Sequence, residues 1–512
     1  MRAVPSLALA GMALIVASAP LAAQTKDVKK AAASITEKDV RKRINIIADD
    51  SMMGRDTPSP GLEMTAQYVA DQFKSFGLKP GGDSGSYLQR YALIKKQLLA
   101  DRSFVEFSSS DLQDFIVLPF TTSVIQYEGE SAGPPVTAEI LLIGGPTDPE
   151  KFPADSLVKG KFIVWVVNWD QVPKFGNAMI IKAMTAGAAG VFAASNRDTT
   201  VIAKAAAQAG RVKVARAEDA KSPGGVPLVL EFSQAAVAAQ FPQAQGTFDQ
   251  LNAATEMMVL SLPDWTATVR ISDSTLGTAM APNVVGVLEG TDPTLNNEYV
   301  VFSAHMDHIG ITPGKPDSIN NGADDDGSGT VGILELAEAF ARKKAATRRS
   351  LIFVTVSGEE KGLWGSAYFT AHSPVPIDQV VANLNMDMIG RNWPDTVETI
   401  GMTFSTLGPM LDSVASANPK LGMTPVNDLS PEERRLFRSD HYNFARAGVP
   451  ILYFTSGHHP DYHEVSDSPD QINAEKEARL VQLVFWMGQA VGNAATKPAW
   501  NPGALEQVQQ AR

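Results

Sequence analysis

The chain has 512 residues, 44% of them hydrophobic and 20% charged, which is enough apolar material for more than one ordinary domain. A formal net charge of -12 leaves no basic stripe to meet a nucleic acid or an anionic membrane, so both classes of partner are set aside. Cysteine is absent, which excludes disulfides, a thiolate zinc site and a lipid-bearing cysteine behind a leader.

In chain order, Arg2, the apolar stretch Leu7 to Ala19 and the small residues Pro20-Leu-Ala-Ala23 predict a signal peptide over residues 1–23 and a secreted or periplasmic product. The stretch is shorter than the ~20 residues that a bilayer-spanning helix needs. Residues 24–100 open with helices: Thr36 caps a periodic run through Ile47, and Leu62 to Phe76 repeats apolar residues at helical spacing until Gly77-Leu-Lys-Pro80 stops it. From 101 to 280 the character changes to β-rich runs (Ser103 to Phe107, Glu139 to Ile143, Phe162 to Val167, Val226 to Leu230) broken by Pro and Gly. There Ala178 to Ala194 predicts one helix passing through Gly187-Ala-Ala-Gly into a strand. From 281 to 496 strands alternate with helices: Tyr299 to Ala304, Thr330 to Lys344, Leu351 to Val356, Gly365 to His372, Val380 to Met386, Pro450 to Phe454 and Ala474 to Ala490. Such alternation predicts an α/β fold with a mostly parallel mixed sheet flanked by helices. Residues 497–512 read as a loose tail.

The chemistry gathers after the predicted strands. His305-Met-Asp307-His308 follows the first, with Gly322-Ala-Asp324-Asp325-Asp326-Gly-Ser-Gly329 beyond it. The second ends in Ser-Gly-Glu359-Glu360, the third in Asp387, and Tyr462-His463 comes late in the chain. An open α/β sheet keeps its ligand at the carboxyl ends of its strands, and this mixture of imidazole and carboxylate donors suits zinc. Each motif alone has a plainer explanation: a polar loop for His-x-Asp, solvated glutamates for the doublet, an acidic turn capping the helix near Ser328 for the aspartates. Their recurrence at successive strand ends favours a metallohydrolase.

These motifs, continued by Asn-x-Asp387-Met-Ile-Gly and Tyr462-His463-x-x-x-Asp467, resemble in type and order the co-catalytic zinc aminopeptidases of peptidase family M28. The resemblance runs from about Ala281 to Ala490 and takes in Gly54-Arg55 and Ala66 to Leu78. The middle stretch resembles an inserted protease-associated domain, on the strength of Gly160-Lys-Phe-Ile-Val164 and Lys182 through Phe192. What the M28 resemblance implies is two Zn2+ per chain, one on His305 and Asp387, the other on Glu360 and His463. In the register of Asp-Asp-Gly-Ser-Gly, Asp325 bridges them and Asp324 and Asp326 flank it. A shared carboxylate makes sense because two dications about 3.5–4 Å apart repel strongly.

The resemblance further implies Glu359 as general base on a metal-bridging hydroxide, and Asp307 as the residue that hydrogen-bonds His305 and fixes its tautomer. His308 has no counterpart and is expected at the rim or in a structural role. Arg438, Asp440 and His441 fall where the family carries a segment lining the site, with substrate contact and structural support both open. His458 and His459 rank behind His463 as ligands, and His372 reads as structural. The implied activity is an exported bizinc exopeptidase that hydrolyses the N-terminal bond of peptides. A carboxypeptidase or dipeptidase is the nearest rival, since Arg391 and Arg438 offer cations to an α-carboxylate. A glutaminyl-cyclase-like transferase on the same fold is a second, and a receptor-like binding module without catalysis is a remote third.

Overall fold

A computed structural model describes residues 25–109, 115–128, 134–146, 148–168, 177–209, 212–219, 228–314, 316–342 and 345–510. The expected signal peptide, residues 1–23, lies outside them. The chain divides into two compact units, one built from the segments up to Tyr91 and from Ala281 onward, the other from Ala92–Met280. Among the described residues no helix is long and apolar enough to cross a membrane.

The first unit opens with three helices, α1 (Lys26–Ala32), α2 (Glu37–Ile47) and α3 (Pro60–Phe76). Thr36 caps α2 by accepting from Asp39 N at 3.2 Å, and its hydroxyl donates to Asp39 Oδ2 at 2.7 Å, so side chain and backbone brace each other. Ser59 caps α3 and Pro60 supplies its first turn, while Gly77 at φ 83 closes it in a left-handed cap. The sheet that follows contains β1 (Asp273–Leu288, entering from the other unit), β2 (Tyr299–His305), β3 (Ser350–Val356), β4 (Val380–Met386), β5 (Thr396–Ile400), β6 (Thr424–Val426) and β7 (Ile451–Thr455). Its order is β6-β5-β7-β4-β2-β3-β1. The centre is parallel, with β2 pairing both β3 and β4, and β4 pairing β7. β1 runs antiparallel to β3, with Lys79–Pro80 and Leu88–Leu98 pairing beyond it, and β5 meets β7 antiparallel.

Alternate residues of β2 feed two different cores. Val300, Phe302 and Ala304 join the cluster beneath α2, α3, α4 (Gly329–Ala341) and α5 (Ala474–Asn493), whereas Val301 joins Ile352, Val354 and Phe444 on the other face. A sheet covered on both faces can present unpaired chemistry only at its strand ends, and the order reverses around β2 and β4, where a crevice opens beyond their carboxyl termini. His305 is the last residue of β2, Asp387 follows β4, and Glu359 comes three residues after β3.

The second unit is a separate mixed sheet with a parallel middle: Val136–Gly144, Phe162–Val167, Gly190–Ser195 and Leu228–Ser233 run side by side. Helix Asn177–Thr185 ends before Gly187, whose φ of 80 turns the chain into strand Gly190–Ser195. Each face of this sheet packs its own apolar cluster, one around Phe192 and Phe232 and one around Trp165 and Val191.

One expectation is corrected among the described residues. The tail expected to be loose from residue 497 is docked, because Trp500 donates its indole N–H to Gly448 O at 2.8 Å and helix Ala504–Gln510 buries Val508. Apolar side chains at 500, 504 and 508 give that segment a face to bury.

Candidate metal centre

Two groups of donors meet beyond the strand ends. His305, Asp325 and Asp387 form one, and His308, Asp325, Glu360 and His463 the other; within each, one ligand atom per residue lies within 4.8 Å of the rest. Asp325 belongs to both. Its Oδ1 is 3.3 Å from His305 Nε2, and its Oδ2 is 3.1 Å from His463 Nε2. Asp387 Oδ1 stands 3.6 Å from His305 Nε2, and Glu360 Oε2 stands 3.1 Å from His463 Nε2.

The three aspartates do three different jobs. Asp326 turns back and accepts from His305 N at 3.1 Å, Gly329 N at 2.8 Å and Met388 N at 3.2 Å, which ties β2, α4 and the loop after β4 together. Asp324 accepts from Gly390 N at 2.6 Å and lies 3.2 Å from His459 Nε2. Asp325 alone faces the crevice between them, and its own N–H donates to Asp467 Oδ2 at 3.1 Å. Gly322, at φ 56, permits the approach: a Cβ there would lie 2.5 Å from the His308 ring and 2.3 Å from Asp325 O.

Metal binding is a fair reading of these donors on two grounds. Asp325 Oδ2 and His463 Nε2 are buried atoms without a hydrogen bond, turned toward each other in a polar space. The electrostatics also call for positive charge. Burial opposes protonation of His463, yet the carboxylates of Asp325 and Glu360 outweigh it and push the imidazole up to about 10. His305 is likewise held well above its ordinary range, burial being overcome by Glu359, Asp387 and their neighbours. The imidazoles of His305 and His463 and the carboxylates of Asp387 and Glu360, set around the shared carboxylate of Asp325, match the donor preferences of zinc.

Glu359 lines a cleft together with His305, Asp325 and Asp387. Burial, with Glu360, Asp440 and Asp387 adding to it, raises its carboxyl well above the usual range against the pull of His305. The farther wall of the cleft is made by Met388, Tyr453, Thr455, Arg435, Arg438 and His458.

Several expected roles change. His308 is not at the rim: it is 0% exposed, and its Nδ1 contacts Glu360 Oε1 at 2.8 Å, so it steadies that carboxylate from inside. His305 Nδ1 meets the backbone oxygen of Asp307 at 3.1 Å, while the Asp307 carboxylate is 3.7 Å from the same nitrogen. That carboxylate, which helps to hold the His305 imidazole above its ordinary pKa, also accepts from Thr57 Oγ1 at 2.9 Å and Glu359 N at 3.3 Å, so it braces the glutamate as well as the histidine. Of the lining segment, Arg438 reaches the cleft. Asp440 is buried with its pKa pushed up to about 7, chiefly by burial, and His441 is buried against Tyr453 with ring centroids 4.5 Å apart. Arg391 is paired with Asp461 at 2.6 Å and does not line the cleft.

Sequence reasoning noted Arg55 without a role. Fully buried, it donates to four backbone oxygens, Met306 at 2.8 Å, Ile47 at 2.9 Å, Asn321 at 2.6 Å and Gly322 at 2.8 Å, so one guanidinium holds both donor loops in place. An arginine next to glycine before a helix was the available signal, but its partners lie 251 to 267 positions away for three of the four bonds.

Comparison with known proteins extends the picture. Residues 283–486 match the model of peptidase family M28. The chain is 27% identical over 210 residues to aminopeptidase YwaD of Bacillus subtilis, covering 40% of this chain and 43% of that one. It is 25% identical over 248 residues to a probable zinc metalloprotease of Leptosphaeria maculans, covering 43% and 56%. The matched part thus spans about half the length of these curated relatives. The fold of an aminopeptidase from Aneurinibacillus sp. strain AM-1 superposes with a TM-score of 0.52 at 19% identity, over 93% of this chain and 98% of that one. The family match contains the whole candidate site, from His305 to His463.

Proposed function

We propose that the protein is a zinc-dependent exopeptidase that removes N-terminal residues from peptides, with two zinc ions per chain. The observation that carries this reading is the sharing of Asp325 between two donor groups, one completed by His305 and Asp387, the other by His463, His308 and Glu360. His305, Asp325 and Asp387 would hold one ion, and Asp325, Glu360 and His463 the other. Zinc held there would polarise the scissile carbonyl and acidify the attacking water.

The chain's own residues supply the rest. Glu359, anchored through its N–H to Asp307, takes the proton from water as the C–O bond forms and returns it to the leaving nitrogen as the C–N bond breaks. Asp440 and Asp387 add negative potential around it, which favours an α-ammonium group at the substrate end of the cleft. Removal of Arg391 from consideration weakens the carboxypeptidase alternative. We read residues 101–280 as a protease-associated domain and the protein as exported, both on the sequence features given above.

The test is hydrolysis of matched peptides with free and blocked N termini by the zinc-loaded protein and by Glu359→Gln, with metal content measured on both. The reading expects cleavage of the free-amino peptide alone. It expects Glu359→Gln to keep its zinc while losing about 10²–10⁴-fold in turnover. Retained activity in Glu359→Gln would falsify the general-base role, and equal cleavage of the blocked peptide would remove the N-terminal specificity.

A further inference from the structure

The far wall of the cleft carries a cation that nothing in the metal chemistry requires. Arg435–Phe437 form one turn of 3₁₀ helix capped by Arg438, with Arg438 N bonded to Arg435 O at 3.1 Å. At that pitch side chains three apart eclipse, so Arg435 and Arg438 project from one side of the turn, and both line the cleft that holds Glu359.

The two guanidiniums differ in what answers their charge. Arg435 is buried and paired from behind by Glu398 and by Glu433, whose Oε2 is 3.1 Å from Nε. Gly457 leaves room for this fork, since a Cβ there would lie 3.1 Å from Nη1 of Arg435. Arg438 is exposed and makes no ion pair among the described residues. The local field is positive: burial and the Arg438 charge hold the His458 imidazole below its ordinary pKa, although Glu433 lies 3.0 Å from its Nδ1 and pulls the other way. A cleft whose near end is crowded with carboxylates for metal thus ends in an unanswered guanidinium.

We propose that Arg438, held in place by the turn it shares with Arg435, is a specificity-determining residue that reads a carboxylate on the substrate, so that the exopeptidase prefers substrates with a carboxylate near the scissile bond. This rests on the exopeptidase reading above. An acidic side chain on the first residue and the α-carboxylate of a dipeptide are the two sources of that chemistry. A guanidinium meets either in a forked, charge-assisted pair, which is stronger than a neutral hydrogen bond.

The experiment uses the full-length zinc-loaded protein and two ratios of kcat/KM. The first compares Glu-anilide with Gln-anilide, which have no α-carboxylate and differ only in side-chain charge. The second compares the dipeptide Leu-Gly with its C-terminal amide. A wild-type ratio of about tenfold or more in either arm supports the proposal and identifies the source, provided that Arg438→Gln brings that ratio towards one. Arg438→Glu should invert the first ratio if the side chain is read, with Lys-anilide then outrunning Glu-anilide. Arg438→Lys, which keeps the charge and loses the fork, should retain part of the preference. Ratios near one in both arms, or ratios that Arg438→Gln leaves unchanged, overturn it. Failure to cleave any free-amino substrate overturns it too, and marks the exopeptidase reading rather than the arginine as the fault.

Discussion

In the unit that carries the cleft, Asp307, His308, Asp324 and Asp326 are each 0% exposed, and each spends at least one side-chain polar atom on another loop. The 92–280 unit is built otherwise. Its described interior buries few polar side chains, Ser103, Ser195, Glu231, Ser233 and Gln234, and its one charged member is paired with Arg197. A cleft in it is walled mainly by Phe107, Leu142, Phe232, Phe248 and Trp265. Two α/β sheets of similar build can therefore carry quite different interiors. The first spends burial on organising charge at strand ends, where each desolvated carboxylate must find a partner. The second, among its described residues, gains from burial in the ordinary way.

That contrast can be broken at particular residues, beginning with the largest effect. Arg55→Met removes the donor for four buried carbonyls in the first unit. At about 1–3 kcal/mol for each group left unsatisfied, the expected loss is upward of about 4 kcal/mol in chemical denaturation, together with weaker zinc binding. If Arg55→Met unfolded at the wild-type midpoint, the claim that this arginine ties the donor loops together would be wrong. Phe192→Ala empties a position in the second unit where Phe162 stacks at 4.6 Å and Phe232 meets it edge-on at 6.3 Å. It should cost about 3–5 kcal/mol and leave the zinc content as it was; a drop in zinc content would show that the second unit matters to the site after all. The smallest change is His308→Ala, which frees Glu360 from its 2.8 Å contact. Zinc affinity measured by competition with a chelator should fall about 10–100-fold for one ion, and an unchanged affinity would return His308 to a packing role.

How far the sequence alone carried differs along the same line. The donors His305, Glu360 and Asp387 were visible because each sits at or just after an apolar run, whereas Asp325 and His463 stood out through the order of the motifs that carry the family resemblance. The sheet was visible too, since Val300 to Ala304 and Leu351 to Val356 are continuous apolar runs that only a doubly covered strand accommodates. What stayed hidden depends on distant partners. That Asp307 spends its carboxylate on Thr57 and Glu359, 250 and 52 positions away, cannot be read from His-x-Asp. His308 looked peripheral because nothing local shows that Glu360 folds onto it. Arg438 was noticed but ambiguous, since its meaning turns on Arg435 being answered by Glu398 while Arg438 is not.

The shared carboxylate is the central claim, and counting metal tests it most directly. Zinc per chain would be measured by mass spectrometry after exhaustive dialysis, for the wild type and for Asp325→Asn. The account predicts about two zinc ions in the wild type, and loss of both from the single substitution, because each donor group loses its common member. One zinc in the wild type, or an Asp325→Asn protein that still retains two, would contradict it.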